Sequence, residues 1–582
     1  MSNGPLPALS PAEVLLYDAA VRRFKSGTAE HETLLQLVRR VPSPTLQSST
    51  NGARRNGHHQ RLSEHTRRLQ QQTKLLDSIG GPGKNDKLDL QLTVERANAA
   101  FHFFQVYEIN GLPNEILLNI LRITANSSPS DRRNTLTRKA LTHVCSRWRH
   151  LMLADTTQWT NLILVNTPPH VQSFTCMERA GDAMLNVIID DTTRAKIDGG
   201  AFTPETFAAM IDRLFVKLPS IRSITATLLD WDSSHVLLEK LQDAALAGTK
   251  INLHKLDISR TGQPYIQFGN GLHDDDNHPP VPLFGGMACP TLKHFGISGG
   301  YIDWNNTTFT HLTTLSLGAM LFEASPDYER FQSMLAGCPN LGKLILNGAG
   351  PNLRTPPPPP YSGPRLENLK ILVLSAFSVG YLSELIDSFF APNLVDLTIA
   401  NFGGEDYSRF FEAITGMFVE LQILTLFNLD HVEGAEARRA TAKWAMTIPR
   451  LRLLRVSNIS VPFLDTFFDD PDSMFLTPAV PTPVEPIHTT RKVICPKLEI
   501  LDASRLSPQA LLRFLQARRA LRAPIRKMYL PKEWQNPPLK TAVETLQLVV
   551  PCLLQGPQGH SVEEQEIHAE NGMTGRLARA AD

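Results

Sequence analysis

Residues 338–346 read Cys-Pro-Asn-Leu-Gly-Lys-Leu-Ile-Leu, and this stretch decides the fold. Its leucines, Leu341, Leu344 and Leu346, follow the spacing L-x-x-L-x-L. The second and third leucines lie two residues apart, which is the spacing of side chains on the same face of a strand. The first leucine points into the core from the turn before the strand. The segment therefore predicts a short strand that can bury its aliphatic side chains only against neighbouring copies of the same unit.

The same frame recurs along the chain. Seven clear copies begin at Leu292, Leu312, Leu341, Leu369, Leu394, Leu421 and Leu451, and three weaker ones at Ile221, Leu253 and Leu498. Adjacent clear copies start 20 to 30 residues apart, close to the roughly 20 to 29 residues in which a strand and a helix make one coil of a leucine-rich solenoid. Longer gaps hold insertions, such as residues 273–282 and 469–490.

Helices are expected between these strands, for example over residues 381–390, 407–417 and 508–521. Polar residues flank the strands and are expected to project from, or border, the concave face with which repeat proteins bind their partners. They are Asp257, Ser259, His294, Gly296, Asn347, Ser375, Asp396 and Asn428.

A second signal precedes the repeats. A turn at residues 110–113 leads into a helix whose apolar residues form one narrow stripe: Ile116, Leu117, Ile120 and Leu121. A second helix, over about 136–153, places one set of side chains on its apolar side: Ala140, Val144, Cys145, Trp148 and Leu151. The same helix is expected to point a second set of side chains toward water: Arg138, Arg147 and Arg149. A unit this small, with Trp159 following, buries its apolar surface poorly alone, which favours a partner.

This segment resembles the F-box-like domain common in fungal multigene families. Three submotifs carry the resemblance: Leu-Pro-x-Glu-Ile-x-x-x-Ile from Leu112, Val-Cys-x-x-Trp-Arg-x-Leu from Val144, and a tryptophan after a short gap, Trp159. The resemblance implies docking on a Skp-type adaptor and, through it, on a cullin of a ubiquitin ligase. The residues assigned to the contact are Leu112, Pro113, Ile116, Leu117, Ile120, Val144, Cys145, Trp148, Leu151 and Trp159.

One departure from the family is the stretch from Ile123 to Thr142, which is longer and more polar than the usual link between the first two helices. The alternative interpretation of the segment is structural: its apolar residues close an internal helical core.

The repeats resemble the irregular leucine-rich repeats often attached to F-boxes, in which Cys-Pro-x-Leu begins a repeat. Cys289, Cys338 and Cys495 each begin such a motif, and this shared position indicates packing. The asparagine ladder of more regular arrays is missing from the pattern.

Composition limits the class of protein. Lys and Arg number 58 and Asp and Glu 57, and without long runs of one charge neither nucleic acid nor a membrane is an expected partner. The six cysteines contain no Cys-x-x-Cys pair, which argues against a zinc site or a disulfide framework. No apolar run predicts a signal peptide or a membrane span. The chain is expected inside the cell, in the cytoplasm, the nucleus or both.

The expected organisation is an α/β chain with an N-terminal helical region containing a three-helix F-box-like domain, followed by an irregular leucine-rich-repeat solenoid, an α/β horseshoe. The segments are a helical one (1–41), a flexible linker (42–61), a helical one with a possible short coiled coil (62–108), the F-box-like domain (109–165), the solenoid (166–555) and a disordered tail (556–582). Five consecutive prolines at 356–360 predict a stiff surface loop or a recruitment site.

No nucleophile elbow, phosphate-binding glycine loop or metal-ligand cluster occurs in the sequence, so no catalytic residue, cofactor or metal is assigned and the chain is not expected to be an enzyme. Two hypotheses of function remain. The first is a substrate receptor whose repeats bind a client protein. The second is a leucine-rich-repeat scaffold with no link to a ubiquitin ligase.

Overall fold

The structure is a computed structural model of the 582-residue chain. The chain divides into two compact units, residues 1–121 and 122–582. Between residues 60 and 74 the structure describes only separate residues, all of them helical. The other described residues are 109, 112–128, 130–165, 170–192, 202–262, 278–353, 363–402, 406–429, 435–468, 493–537, 539–555 and 561–573. The helices predicted before residue 60, the coiled coil and the five prolines lie outside these residues.

Within its described residues, the larger unit contains one parallel sheet whose 14 strands are ordered as they occur in the chain. The strands are β1 Asn161–Val165, β2 Leu185–Asp190, β3 Ile221–Leu228, β4 Lys255–Arg260, β5 His294–Ser298, β6 Thr314–Gly318, β7 Lys343–Asn347, β8 Ile371–Ser375, β9 Asp396–Phe402, β10 Ile423–Leu429, β11 Leu453–Ile459, β12 Ile500–Ser504, β13 Lys527–Pro531 and β14 Cys552–Gln555. Each strand pairs only with the strands next to it in the sequence. Helices and strands both occur along the chain, which confirms the predicted mixed α/β class.

The described residues also form α-helices. They are α1 Asn114–Ala125, α2 Asp131–Leu141, α3 Ser146–Ala154, α4 Val171–Ala180, α5 Pro204–Phe215, α6 Trp231–Leu246, α7 Tyr328–Ala336, α8 Val379–Leu385, α9 Ser408–Ala413, α10 Ala435–Met446, α11 Val461–Asp465, α12 Pro508–Ala520, α13 Lys540–Gln547 and α14 Val562–Glu570. Three of them, α8, α9 and α12, lie where the sequence predicted helices between strands.

All ten predicted frames fall on β3–β12, and the register aligns them. In β10, for example, Leu424 is paired with Leu397 of β9 and Leu454 of β11, so that second frame positions form one continuous row. Four further strands, β1, β2, β13 and β14, lack the full leucine frame. In β2 the buried residues simply alternate with half-buried ones, a pattern that period-two alternation would have found.

The two faces of the sheet differ. On the back face, the frame residues pack with the connecting helices into one large core that includes Phe207, Phe410 and Trp444. The front face carries the first and third residues of the strands, such as Asp257 of β4 and Arg455 of β11. The frame thus divides each of the strands β4–β12 between the core side and the front side, because side chains alternate along a strand.

Most repeats end in a left-handed turn two residues after the third frame position. Residues there with positive φ are Gly299, Ala319, Gly348, Ala376, Asn401, Asn428, Asn458 and Arg505. Glycine and asparagine accept this conformation at low cost. Three of these turn residues are linked side chain to side chain: Asn458 donates to Asn428 at 2.5 Å, and Asn428 donates to Asn401 at 3.2 Å. They lie one residue before the position that forms the asparagine ladder of regular repeats.

Two segment boundaries need correction. Helices α1–α3 and a 3-10 turn, Thr156–Trp159, precede β1, so the last residues of the segment predicted as F-box-like (109–165) belong to the sheet. The disordered tail predicted at 556–582 is wrong for residues 561–573, which form α14 and its flanks. Ile567 and Met573 from this segment pack on the front face. Its low aliphatic content concealed a docked helix, because most of its contacts are ionic.

Candidate functional site

Helix α1 exposes an apolar surface. Ile116, Ile120 and Ile123 are 49%, 37% and 72% exposed, and their spacing of four and three residues places them on one side of the helix. Leu117 and Leu121 are fully buried on another side. Of the contact residues assigned to this helix, Ile116 and Ile120 are therefore accessible to a partner, and Leu117 is not.

The turn before α1 contains two of the assigned contact residues, which differ in exposure. Leu112 is half-buried and Pro113 is exposed. The Leu112 backbone N–H donates to the carbonyl of Ile109 at 3.3 Å, and the Pro113 carbonyl accepts from the N–H of Leu117 at 3.0 Å. The proline ring precedes the first full helical turn, where its missing N–H costs nothing.

Helix α3 brings two assigned residues together. Cys145 caps the helix, with its Sγ accepting from the Trp148 backbone N–H at 3.5 Å. Val144 is 57% exposed, whereas Cys145, Trp148 and Leu151 are half-buried. Val144 is the most accessible of this group.

The sequence misplaced two residues of α2. Arg138, expected to face water, is buried, and its guanidinium donates to the carbonyl of Gln158 at 2.9 Å. Ala140, expected on the apolar side, is exposed. The pattern was ambiguous because a long side chain can bury its stem and still reach a polar partner.

Trp159 is 6% exposed and belongs to the core of the sheet unit. Its indole N–H donates to the carbonyl of Met152 at 3.0 Å, and the guanidinium of Arg179 lies 4.9 Å from its ring centroid. The assignment of Trp159 to a partner contact is therefore corrected: its side chain joins α3 to the sheet.

Asp155, which the sequence did not single out, organises the turn between α3 and β1. Its carboxylate accepts from Arg122 Nε at 2.8 Å, the Thr157 hydroxyl at 2.7 Å and the Gln158 amide at 3.0 Å. Burial opposes ionisation, but the hydrogen bonds from Arg122, Thr157 and Gln158 outweigh it and lower the pKa of Asp155 to about 2.

Polar groups occupy the front face at β4 and β5, as predicted for Asp257 and His294. One carboxylate oxygen of Asp257 lies 3.3 Å from Lys255 Nζ and 3.5 Å from His294 Nε2. Burial alone would raise the pKa of Asp257, but His294 and Lys255 lower it below its ordinary value. This half-buried group can offer charge to a bound protein.

The cysteines are free thiols. Cys338 and Cys495 are buried, the Cys495 thiol donates to the carbonyl of Ala445 at 3.4 Å, and burial raises its pKa to about 12. A protonated, enclosed thiol of this kind packs as a small apolar group.

One cluster has the residue types of a metal site. Ligand atoms of Asp396, Glu564 and His568 lie within 4.8 Å of one another. His568 Nε2 forms a hydrogen bond with the Asp396 carboxylate at 3.0 Å. The Glu564 carboxylate accepts a hydrogen bond from Arg455 at 2.6 Å. The guanidinium already supplies the positive charge that a cation would bring, so the cluster is an ion-pair network.

Comparison with models of known protein families found no match, and comparison with curated proteins found none either. Within the part of the chain that the structure describes, none of the helices combines the length and the apolar character that crossing a bilayer requires.

Proposed function

We propose that this chain is the substrate-recognition subunit of a Skp-cullin-F-box type ubiquitin ligase. Residues 112–151 dock on the Skp-type adaptor, and the front face of the sheet binds a client protein. Ubiquitin transfer is carried out by other subunits. The chain contributes by holding its client at high local concentration beside them.

The observation that carries this proposal is the exposed apolar side of α1. Ile116 and Ile120, which the F-box-like motif places at the adaptor contact, are partly exposed, and the more exposed Ile123 lies beside them. Three exposed isoleucines on one helix are what a helical partner surface requires. The aligned repeat frames of β3–β12 support the second half of the proposal, a leucine-rich-repeat array offering a broad face.

A second candidate is a leucine-rich-repeat scaffold without a ligase link. The burial of Trp159 and Arg138 supports it, because both side chains hold helices against the sheet unit in the manner of an N-terminal cap. Repeat arrays need such caps at their ends.

Co-purification of the full chain with a Skp-type adaptor tests the two. We expect the wild type to retain the adaptor and the double variant Ile116→Asp, Ile120→Asp to lose it, because two carboxylates would have to enter an apolar contact. Leu112→Asp and Pro113→Ala should weaken retention.

Val216→Asp is the matched control. Val216 is an exposed aliphatic residue just after α5, and its replacement should leave adaptor retention unchanged. If the wild type fails to bind where a known F-box protein binds, the ligase role is wrong and the scaffold role stands.

A further inference from the structure

Helix α14 presents one side to the front face of the sheet. Glu564, Ile567 and His568 are buried, and the capping residue Ser561 is buried as well. The opposite side, with Val562, Gln565, Glu566 and Ala569, is exposed. The helix therefore has a defined contact side, although it contains only one large aliphatic residue on that side.

Ion pairs and hydrogen bonds fix the helix to three strands, β9, β11 and β13. Glu564 accepts from Arg455 of β11 at 2.6 Å, and His568 contacts Asp396 of β9 at 3.0 Å. Glu563 pairs with Lys527 of β13 and accepts from the Tyr529 hydroxyl at 2.5 Å. Arg455 also donates to Asp502 of β12 at 2.9 Å.

Further polar contacts extend the same pattern. Glu570, the last residue of the helix, pairs with Arg452 at 2.6 Å, and Asn571, just after it, accepts from Gln422 at 3.2 Å. Acidic groups of the helix thus meet basic groups of the sheet, apart from the inverted pair of His568 with Asp396.

An apolar strip lies beneath the helix. It consists of residues on the front face that cluster with Ile567 and Met573: Ile371, Val395, Ile423, Leu453, Ile500 and Tyr529. A sheet face with these side chains needs a cover, since exposed aliphatic patches of this kind are binding sites in soluble proteins.

Helix α14, which covers this strip, is suited to being replaced by another helix. An isolated helix of nine residues is not stable in water, so α14 depends on the sheet for its structure. The helix contributes one buried apolar anchor, Ile567, and the residues just after it contribute a second, Met573. Much of the remaining contact is charge pairing.

We propose that the front face of β9–β13 is a receptor groove for an acidic amphipathic helix of a partner protein, and that α14 occupies this groove in the closed state. The matching partner helix carries glutamates at two adjacent positions, an isoleucine three residues after the second and a basic or histidine side chain next to it. The identification of the partner as a client for ubiquitination rests on the proposed function. The existence of the groove is independent of that function.

The test uses the full chain and a fluorescent peptide of residues 560–574 as the probe. We expect Ile567→Asp in the chain to release α14 and to raise peptide affinity, measured by anisotropy, at least tenfold over the wild type, in which the tethered helix competes. The variant Glu563→Lys, Glu564→Lys should do the same without touching the apolar core. Hydrogen exchange at residues 562–570 reports the release directly.

A charge reversal across the groove gives the specificity control. Lys527→Glu, added to the Ile567→Asp chain, should reduce peptide affinity about fivefold or more, and a peptide carrying Glu563→Lys should recover it. A peptide carrying Ile567→Asp should not bind.

Equal peptide binding to the wild type and both released variants would overturn the proposal. So would released variants that leave the peptide unbound, or exchange at 562–570 that stays slow in both. Adaptor retention should be the same in all of these chains, so failure of the ligase role would be seen separately.

Discussion

Asn428 contributes both its side chain and its backbone conformation to the turn after β10. Its φ is +53°, its amide donates to Asn401 at 3.2 Å, and its amide oxygen accepts from Asn458 at 2.5 Å. Asn428→Gly keeps the turn and loses these side-chain hydrogen bonds, which costs about 1 to 2 kcal/mol. Asn428→Ala should cost about 1 kcal/mol more, because alanine resists the left-handed conformation. Urea denaturation should give the order wild type, glycine variant, alanine variant, and an alanine variant as stable as the glycine variant would refute the strain argument.

Asp155 gives the structure a predictable response to acid. Its pKa is about 2 in the folded chain, against about 3.9 for an ordinary aspartate. A carboxyl group with a lowered pKa stabilises the fold above its unfolded pKa and loses that contribution as the pH falls toward the folded value.

Asp155→Asn should therefore destabilise the chain by about 1 to 2 kcal/mol at pH 7 and by about half as much at pH 3. Denaturation midpoints at both pH values measure this. Asp182→Asn, at a fully exposed carboxylate, is the control and should have little effect at either pH. A cost for Asp155→Asn that does not shrink in acid would show that the carboxylate charge is not what stabilises the turn.

At the scale of elements, Arg518 holds α12 to the chain on both sides of the insertion at 469–492. This fully buried side chain donates to the carbonyls of Phe467, Ile494 and Cys495 at 3.3, 2.6 and 3.0 Å. Burial lowers its pKa from the ordinary arginine value. The guanidinium thus adds side-chain hydrogen bonds to two backbone segments that lie outside the strands.

Arg518→Met should cost about 3 kcal/mol or more, because buried carbonyls are left without donors. The exposed neighbour Arg519 provides the control, and Arg519→Met should change stability by less than about 0.5 kcal/mol. Thermal unfolding compares the two variants, and similar melting temperatures would contradict the role assigned to Arg518.

At the scale of the whole sheet unit, each strand depends on its immediate neighbours. Interior strands are paired on both sides, whereas β14 has four residues and pairs only with β13. In such an array, stability falls toward the ends. Hydrogen exchange should be slowest in β6–β11 and clearly faster in β14, and uniform protection across all strands would contradict this neighbour-by-neighbour account.

The repeat is evident from the amino-acid sequence alone. The spacing of residues such as Leu341, Leu344 and Leu346 fixes both the strand and its inward side, because alternation along a strand is a local property of the backbone. Ten strands and their register were predictable for this reason. Helix starts were predictable too, as at Ser507, whose side chain accepts from the Ala510 N–H.

Which polar residues are buried, and what covers the front face, depend on contacts between residues far apart in the chain. Arg138, Arg518 and Glu564 look like solvated side chains in the sequence, but they bind Gln158, Ile494 and Arg455, which lie 20, 24 and 109 residues away in the chain. Charge pairing has no periodicity that reveals its partner, whereas aliphatic burial does. The leucines therefore predict the sheet, and only the folded chain shows that α14 lies across it.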